Sequence, residues 1–332
     1  MKHFKSVLLL TLFASSTYLP SALAQEKQIG PINSNFVQRE WAHDESIEQI
    51  SKSVYRFGSD NQFGAYILTD EGIVVVDGHY CGSATPAWLK QQLKERHNVP
   101  VKYVILSHDH ASHTCGTEVF NDTAVGIGSR NILPHMVFEN RQSIIPKITF
   151  TDEMDLHLGG VHIRLMYLGP SHSDNLIQVH VPDEKVLIAI DSAKGFSTFP
   201  DVRDMDVNNQ LLVYKKLAYM PDVDVVLPGH GPVKDQTAFS DAAIYLEALK
   251  KDVLERMAAG ETLEQIKVGT AAVMMDKFGG TYKNMDRFLM PEIVTMYDYL
   301  FRYREPNISI KQFDAQACVE DSTKCRTSSV KP

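Results

Sequence analysis

With 332 residues, 44% of them hydrophobic, the chain is long enough to bury a substantial core. Its formal net charge is −8, and no basic stripe or Lys/Arg cluster stands out, which argues against nucleic acid as a partner. The apolar run from Val7 to Phe13 is far short of the ~20 residues a spanning helix needs, so no membrane span is expected.

The N-terminus, "MKHFKSVLLLTLFASSTYLPSALAQE", has Lys2 and Lys5 ahead of that run and the small-residue step Ala22-Leu23-Ala24 behind it. That is the layout of a secretory leader cleaved near Ala24. Residues 1–24 are therefore expected to be lost on export, giving a periplasmic or secreted protein, and residues 25–50 read as a polar arm. From Val54 the segments "SVYRFG", "GAYILTD" and "GIVVVDG" read as strands punctuated by Gly and Asp. "TPAWLKQQLKERHN" reads as a helix capped by Thr85, with Pro86 at its first position. "VKYVILS" and "TAVGIGS" are strands again, followed by "VHIRLMYLG", "NLIQVHVP" and "KVLIAID", the last almost wholly apolar and hence buried. "NNQLLVYKKLAYM" is an amphipathic helix, and "VDVVLPGHG" a short buried strand running into a loop. Strands first, then strands mixed with helices, predict an α/β domain over 51–239 with two packed sheets covered by helices.

From Ser240 the pattern turns helical. "SDAAIYLEALKKDVLERMAAG" ends near Gly260, "TLEQIK" starts a second helix, and "RFLMPEIVTMYDYLFRYRE" forms a third, opened or interrupted by Pro291. This extension, 240–311, is expected to pack on the domain; its Met and aromatic residues could instead build a homodimer face. Residues 312–332 form a polar tail. Four cysteines, Cys81, Cys115, Cys318 and Cys325, allow three pairings in an exported chain. Cys318 and Cys325 lie close enough for a local clasp, and Cys81 and Cys115 follow two strand ends and could meet near one site. Free thiols are the other option.

The chemistry concentrates in "LSHDHASHTCG", where a buried strand ends in His108, His110 and His113. Spacing of two on an extended segment points side chains the same way, and imidazole is a preferred zinc ligand. His172 lies in the turn "GPSHSDN". Asp191 ends "KVLIAID", where a carboxylate is costly without a partner or a metal. His230 sits in "LPGHG", between glycines that let the backbone turn sharply. All six occupy strand-to-loop junctions.

These residues, in this order over roughly 50–235, resemble the metallo-β-lactamase superfamily. The resemblance implies a four-layer αββα sandwich with a metal centre at one edge. It places His108, His110 and His172 on a first metal, and His113, Asp191 and His230 on a second, with one or two Zn2+ per chain. Asp191 and His113 would be catalytic, Asp191 as a bridge between metals. The departure from the family pattern is Ser112, which stands at the motif's aspartate. A neutral hydroxyl is a poor ligand, yet three protein ligands plus water still make a zinc site. Asp109 could swing in as a replacement carboxylate or face away and hydrogen-bond the loop. Asp77 and His79, in "VVVDGHY", are expected behind the ligands, orienting them.

"HSDNLIQVHVPDEKVLIAIDSAK" is similar to the corresponding stretch of class B β-lactamases. The similarity implies that Lys194, three residues past Asp191, binds a substrate carboxylate, with Asn175 as a further polar contact. The expected function is zinc-dependent hydrolysis of a small molecule, a β-lactam or similar cyclic amide. The alternatives are a lactone or ester hydrolase, a metal-binding protein that has lost catalysis with Ser112, and an iron dioxygenase of the two-His-one-Asp type. Asp191, where the best-known lactamases carry cysteine, speaks for the ester reading.

Overall fold

Strand β4 (Gly72–Val76) shows how the layers arise: Val74 and Val76 point into one apolar core while Ile73 and Val75 point into another. A strand alternates its faces with period two, so an all-apolar strand must be covered on both sides. The computed structural model describes residues 44–193 and 199–304. The leader, most of the arm, Lys194, Cys318, Cys325 and the polar tail lie outside the described residues.

A seven-stranded sheet runs in the order β1 (Ser46–Gln49), β2 (Val54–Ser59), β3 (Gln62–Thr69), β4, β5 (Val101–Ile105), β6 (Val125–Ser129) and β7 (Pro146–Phe150). Its first four strands are antiparallel neighbours and β4 to β7 are parallel. The second sheet orders β12 (Val225–Leu227), β11 (Val186–Ile188), β10 (Ile177–Val181), β9 (Val161–Tyr167) and β8 (Glu153–Leu158). Here β11 and β12 are parallel and the rest antiparallel.

Three apolar clusters separate four layers. Ile67, Val76, Ile105 and Ile127 of the first sheet meet Ile163, Leu165, Val179 and Ile188 of the second. Behind the first sheet lie α1 (Thr85–Arg96) and α3 (Ile132–Phe138), whose Leu89, Leu93, Ile132 and Met136 cover Tyr66, Val75 and Val104. Behind the second lie α4 (Val207–Ala218), α5 (Thr237–Ala258), α6 (Leu263–Phe278) and α7 (Met285–Arg304). The result is the expected αββα sandwich with its C-terminal helices.

Several local expectations need correction. Residues 46–49 are an edge strand, not part of an arm, and β7, β8 and α3 went unread in the sequence. Thr85 does not cap α1: Ala84 takes that position, and the Thr85 N–H is satisfied by the Ser83 hydroxyl at 3.2 Å. Pro291 neither opens nor breaks α7, which runs through it. Leu289, Ile293, Met296, Tyr299 and Leu300 on that helix are buried in the core behind the second sheet and serve packing, while Met290 and Phe301 stay exposed. A capping box, Thr262 with Gln265, starts α6.

Candidate metal centre

The parallel pairs β4–β5 and β11–β12 end on loops that meet at one edge of the sandwich. Asp77 and His79 follow β4; His108 and His110 follow β5, and His113 lies on the short turn α2 (Ala111–Thr114). His172 comes from the β9–β10 loop, Asp191 from beyond β11 and His230 from beyond β12. Ties between the sheets hold these loops in register: Ile177 N–H donates to Ser107 O at 2.8 Å and Phe63 N–H to Gly229 O at 2.9 Å. The Arg56 guanidinium, lying 3.6 Å over the Phe63 ring, donates to the carbonyls of Pro228 and Gly231. Gly229 is required here, because a Cβ would lie 2.8 Å from His113 Cε1. Asp77 (φ 64°) and Asp191 (φ 47°) both adopt the left-handed backbone, a conformation uncommon outside glycine that is often kept at functional sites.

The donor atoms form two overlapping groups, each within 4.8 Å: His108, His110, His172 and Asp191, and then His113, Asp191 and His230. Asp191 Oδ2 lies 3.2 Å from His113 Nε2, 3.3 Å from His172 Nε2 and 3.8 Å from His108 Nε2. Asp191 Oδ1 is 3.3 Å from His230 Nε2. His110 turns Nδ1 inward, 3.1 Å from His172 Nε2.

Outer contacts decide which ring nitrogens keep a lone pair for a cation. Ser107 donates its N–H and its hydroxyl to Asp77, at 2.7 and 2.6 Å. A hydroxyl has one hydrogen, so the same oxygen accepts from His108 Nδ1 at 2.9 Å. His108 Nε2 is then an unprotonated acceptor, buried and without a hydrogen-bond partner. That is the state a metal ligand needs. His230 donates Nδ1 to Asn61 O at 3.2 Å, again leaving Nε2 toward Asp191. His110 Nε2 faces Asp204 at 3.6 Å. The residues present therefore fit a divalent cation.

Burial, reinforced by His110 and His113, pushes His108 well below the usual histidine range. His110 is also buried, which lowers it, but the Asp204, Asp191 and Asp109 carboxylates raise it above its ordinary value. Burial pushes Asp77 up to about 6 against the opposing pull of His113 and the Ser107 bonds.

Ser112 enters through its backbone, its carbonyl accepting from Gln62 Nε2 at 2.7 Å. Asp109 does not replace the missing carboxylate. Its Oδ1 accepts from Asn175 Nδ2 at 2.7 Å, its N–H donates to Asn175 Oδ1 at 2.9 Å, and Arg141 lies 3.5 Å from Oδ2. His135 and Glu139 stand beside it, and Arg141 pairs with both carboxylates. Asn175 is therefore corrected from substrate contact to buried clamp, since both ends of its fully buried amide are spent on Asp109. His79 turns from the ligand sets to Ser59, its Nε2 3.1 Å from Ser59 O. A disulfide joins Cys81 to Cys115, tying the loop after β4 to the end of the His113 turn. Gln62, Asn61, Arg56 and Asp204 were missed in the sequence.

A sequence model of the metallo-beta-lactamase superfamily matches residues 64–230. The chain belongs to the metallo-β-lactamase superfamily. Among its relatives is a metallo-beta-lactamase type 2 of Elizabethkingia meningoseptica, 25% identical over 209 residues, covering 58% of this chain and 81% of the relative. Another is the 2,4-dinitroanisole O-demethylase subunit alpha of Nocardioides sp. (strain JS1661), 21% identical, covering 77% of this chain and 80% of the relative. The solved metallo-beta-lactamase from Pontibacter korlensis superposes with a TM-score of 0.56 at 22% identity, over 61% of this chain and 99% of that one. As a superfamily member the chain is a metal-dependent hydrolase, with a His/Asp cluster able to hold the metal.

Proposed function

We propose that this protein is an exported zinc-dependent hydrolase that opens a β-lactam or similar cyclic amide. The observation that carries the hydrolytic reading is the pair of ligand sets sharing Asp191 at the sandwich edge. Five imidazoles and one carboxylate suit zinc better than calcium or magnesium, which favour oxygen. His108, His110 and His172 would hold a first ion, and His113, Asp191 and His230 a second. A zinc ion so held lowers the pKa of its water to ~7 and polarises a carbonyl oxygen.

The chain's own groups then do the rest. Asp191, only 3% exposed, stands between the sets, where its carboxylate can orient the attacking water and take its proton. His113, with Nε2 3.2 Å from it, would share the second ion with that carboxylate. Asp77 acts through Ser107 to fix the His108 ring, and Asp204 does the same for His110. The similarity to type 2 metallo-beta-lactamases supports the cyclic amide as substrate. Lys194 is proposed, from the sequence resemblance alone, to bind the substrate carboxylate. Export rests on the leader-like residues 1–24 and is supported by the Cys81–Cys115 disulfide, which suits an oxidising compartment.

A specific observation favours a second reading, cleavage of an ester, lactone or aryl ether. The O-demethylase subunit matches 77% of the chain against 58% for the lactamase, and Asp191 replaces the cysteine of the best-known lactamases. Zinc-loaded full chain, assayed on a chromogenic cephalosporin and on a panel of lactones, aryl esters and nitroaryl ethers, separates the two. Cephalosporin turnover lost in His110→Ala supports the lead. Turnover confined to the panel moves the substrate, and a zinc-loaded chain inert to all of them removes the hydrolase reading. Mature protein beginning at Gln25 would support export.

A further inference from the structure

Removing the motif aspartate leaves the second ligand set with two imidazoles and the shared Asp191, and the structure fills the space beside it with an amide. Gln62 opens β3, directly after the Asp60-Asn61 turn, whose two residues both have left-handed φ. That tight turn places its side chain at the metal edge. Gln62 is completely buried. Its Nε2 donates to Ser112 O at 2.7 Å and lies 2.9 and 3.2 Å from the two ring nitrogens of His113. Its backbone is bridged to that of His230. One side chain thus touches the residue that departs from the family pattern and one second-set ligand, and its backbone pairs with the other.

The other end of this amide is unaccounted for. Gln62 Oε1 is buried and has no hydrogen-bond partner. The Nε2 contact to a carbonyl fixes which end is nitrogen, so exchanging the two atoms does not repair the defect. Buried acceptors are almost always satisfied, and an orphan signals a missing donor or ion. An amide oxygen is a competent neutral ligand for a divalent cation.

We infer that Gln62 Oε1 is the oxygen ligand of the second cation, standing in for the aspartate replaced by Ser112. The inference rests on the two-set reading above and deepens it. A carboxamide brings no negative charge, so Asp191 is then the only anion on that cation. The second ion is accordingly held less tightly than a carboxylate would hold it, and a carboxylate at position 62 improves the site.

The test is stepwise zinc removal from full-length protein by a chromophoric chelator, with the visible spectrum of the cobalt-loaded form as a second readout. Two equivalents are expected in the wild type. Gln62→Leu should weaken the second by ~10-fold or more while sparing the first, as losing a metal-site partner does, and Gln62→Glu should strengthen it by a similar factor. A Gln62→Leu protein with an unchanged second affinity overturns the inference, as does an equal loss at both sites or a wild type that holds one equivalent at saturating zinc. If Gln62→Leu does not fold, Gln62→Glu decides, and an unaltered second affinity there overturns it too. A wild type that binds no zinc and hydrolyses nothing instead brings down the hydrolase proposal. An active enzyme indifferent to position 62 removes only the ligand role of Gln62.

Discussion

The two ligand sets share Asp191 but are built differently. In the first, charge stands behind two imidazoles: Asp77 through Ser107 behind His108, and Asp204 beside His110, while Phe199 packs on the His172 ring with centroids 5.2 Å apart. In the second, the Asn61 carbonyl stands behind His230 and the Gln62 amide N–H faces His113, whose Nδ1 also lies 3.7 Å from Asp77. A carboxylate behind a histidine raises its basicity as a ligand; a carbonyl that accepts the ring N–H fixes orientation with less charge. On the two-set proposal, with a serine at the motif's aspartate, the first cation would be held more tightly than the second.

The largest expected effect comes from the residue the sets share. Asp191→Ala should release both zinc equivalents and cut turnover by more than ~100-fold, beyond what loss of an outer partner costs. A variant retaining one tightly bound ion would show that the first set does not need Asp191. Asp77→Asn comes next. It should lower first-site affinity by ~10–100-fold, read by chelator competition, and a loss confined to the second site would reverse the roles assigned to His108 and His113.

Ser112→Asp sharpens the contrast from the other side. The mutant should hold close to two zinc ions and resist chelator, while the wild type yields its second ion more easily; equal resistance would mean that Ser112 does not matter. The disulfide closes a separation of 34 residues, and the double replacement Cys81→Ser, Cys115→Ser should cost about 4 kcal/mol in urea unfolding. Because Cys115 ends the turn that carries His113, second-site affinity should fall more than first.

The smallest effect lies away from the site. Burial, helped by Arg164, holds His180 below the ordinary histidine range, with its Nε2 on Asp222 O at 2.7 Å. The unfolded chain therefore takes up this proton near pH 6.5, before the folded one does. The stability contribution is complete above that pH and declines as acid is added. Urea midpoints at pH 7.5 and 5.5 should differ less in His180→Gln than in the wild type.

The residues of the His/Asp cluster were legible because each carries its own chemistry at a strand end: histidines two apart on an extended segment, a carboxylate after an apolar strand, a histidine between glycines. Two packed sheets covered by helices were legible in the order of strands and helices, and the four-layer arrangement followed from the family resemblance. The supporting residues were not. Gln62 acts because the Asp60-Asn61 turn brings it across to His113, 51 positions away, and an uncharged amide leaves no sequence signal; its place just after an Asp-Asn turn at a strand start was the one available hint. Asn175 looked like a turn residue open to substrate because its partner, Asp109, lies 66 positions earlier. Strand β8, one of the missed elements, alternates exposed Glu153, Asp155 and His157 with half-buried Met154 and Leu156, a polar edge that apolar runs do not reveal.

Anomalous diffraction at the zinc edge, from crystals of zinc-loaded protein, tests the central claim most directly. A strong peak ~2.0–2.1 Å from nitrogens of His108, His110 and His172, with a weaker one beside Asp191, His113 and His230, is the outcome expected. Anomalous density elsewhere, with these imidazoles bonded only to one another and to Asp191, would contradict it.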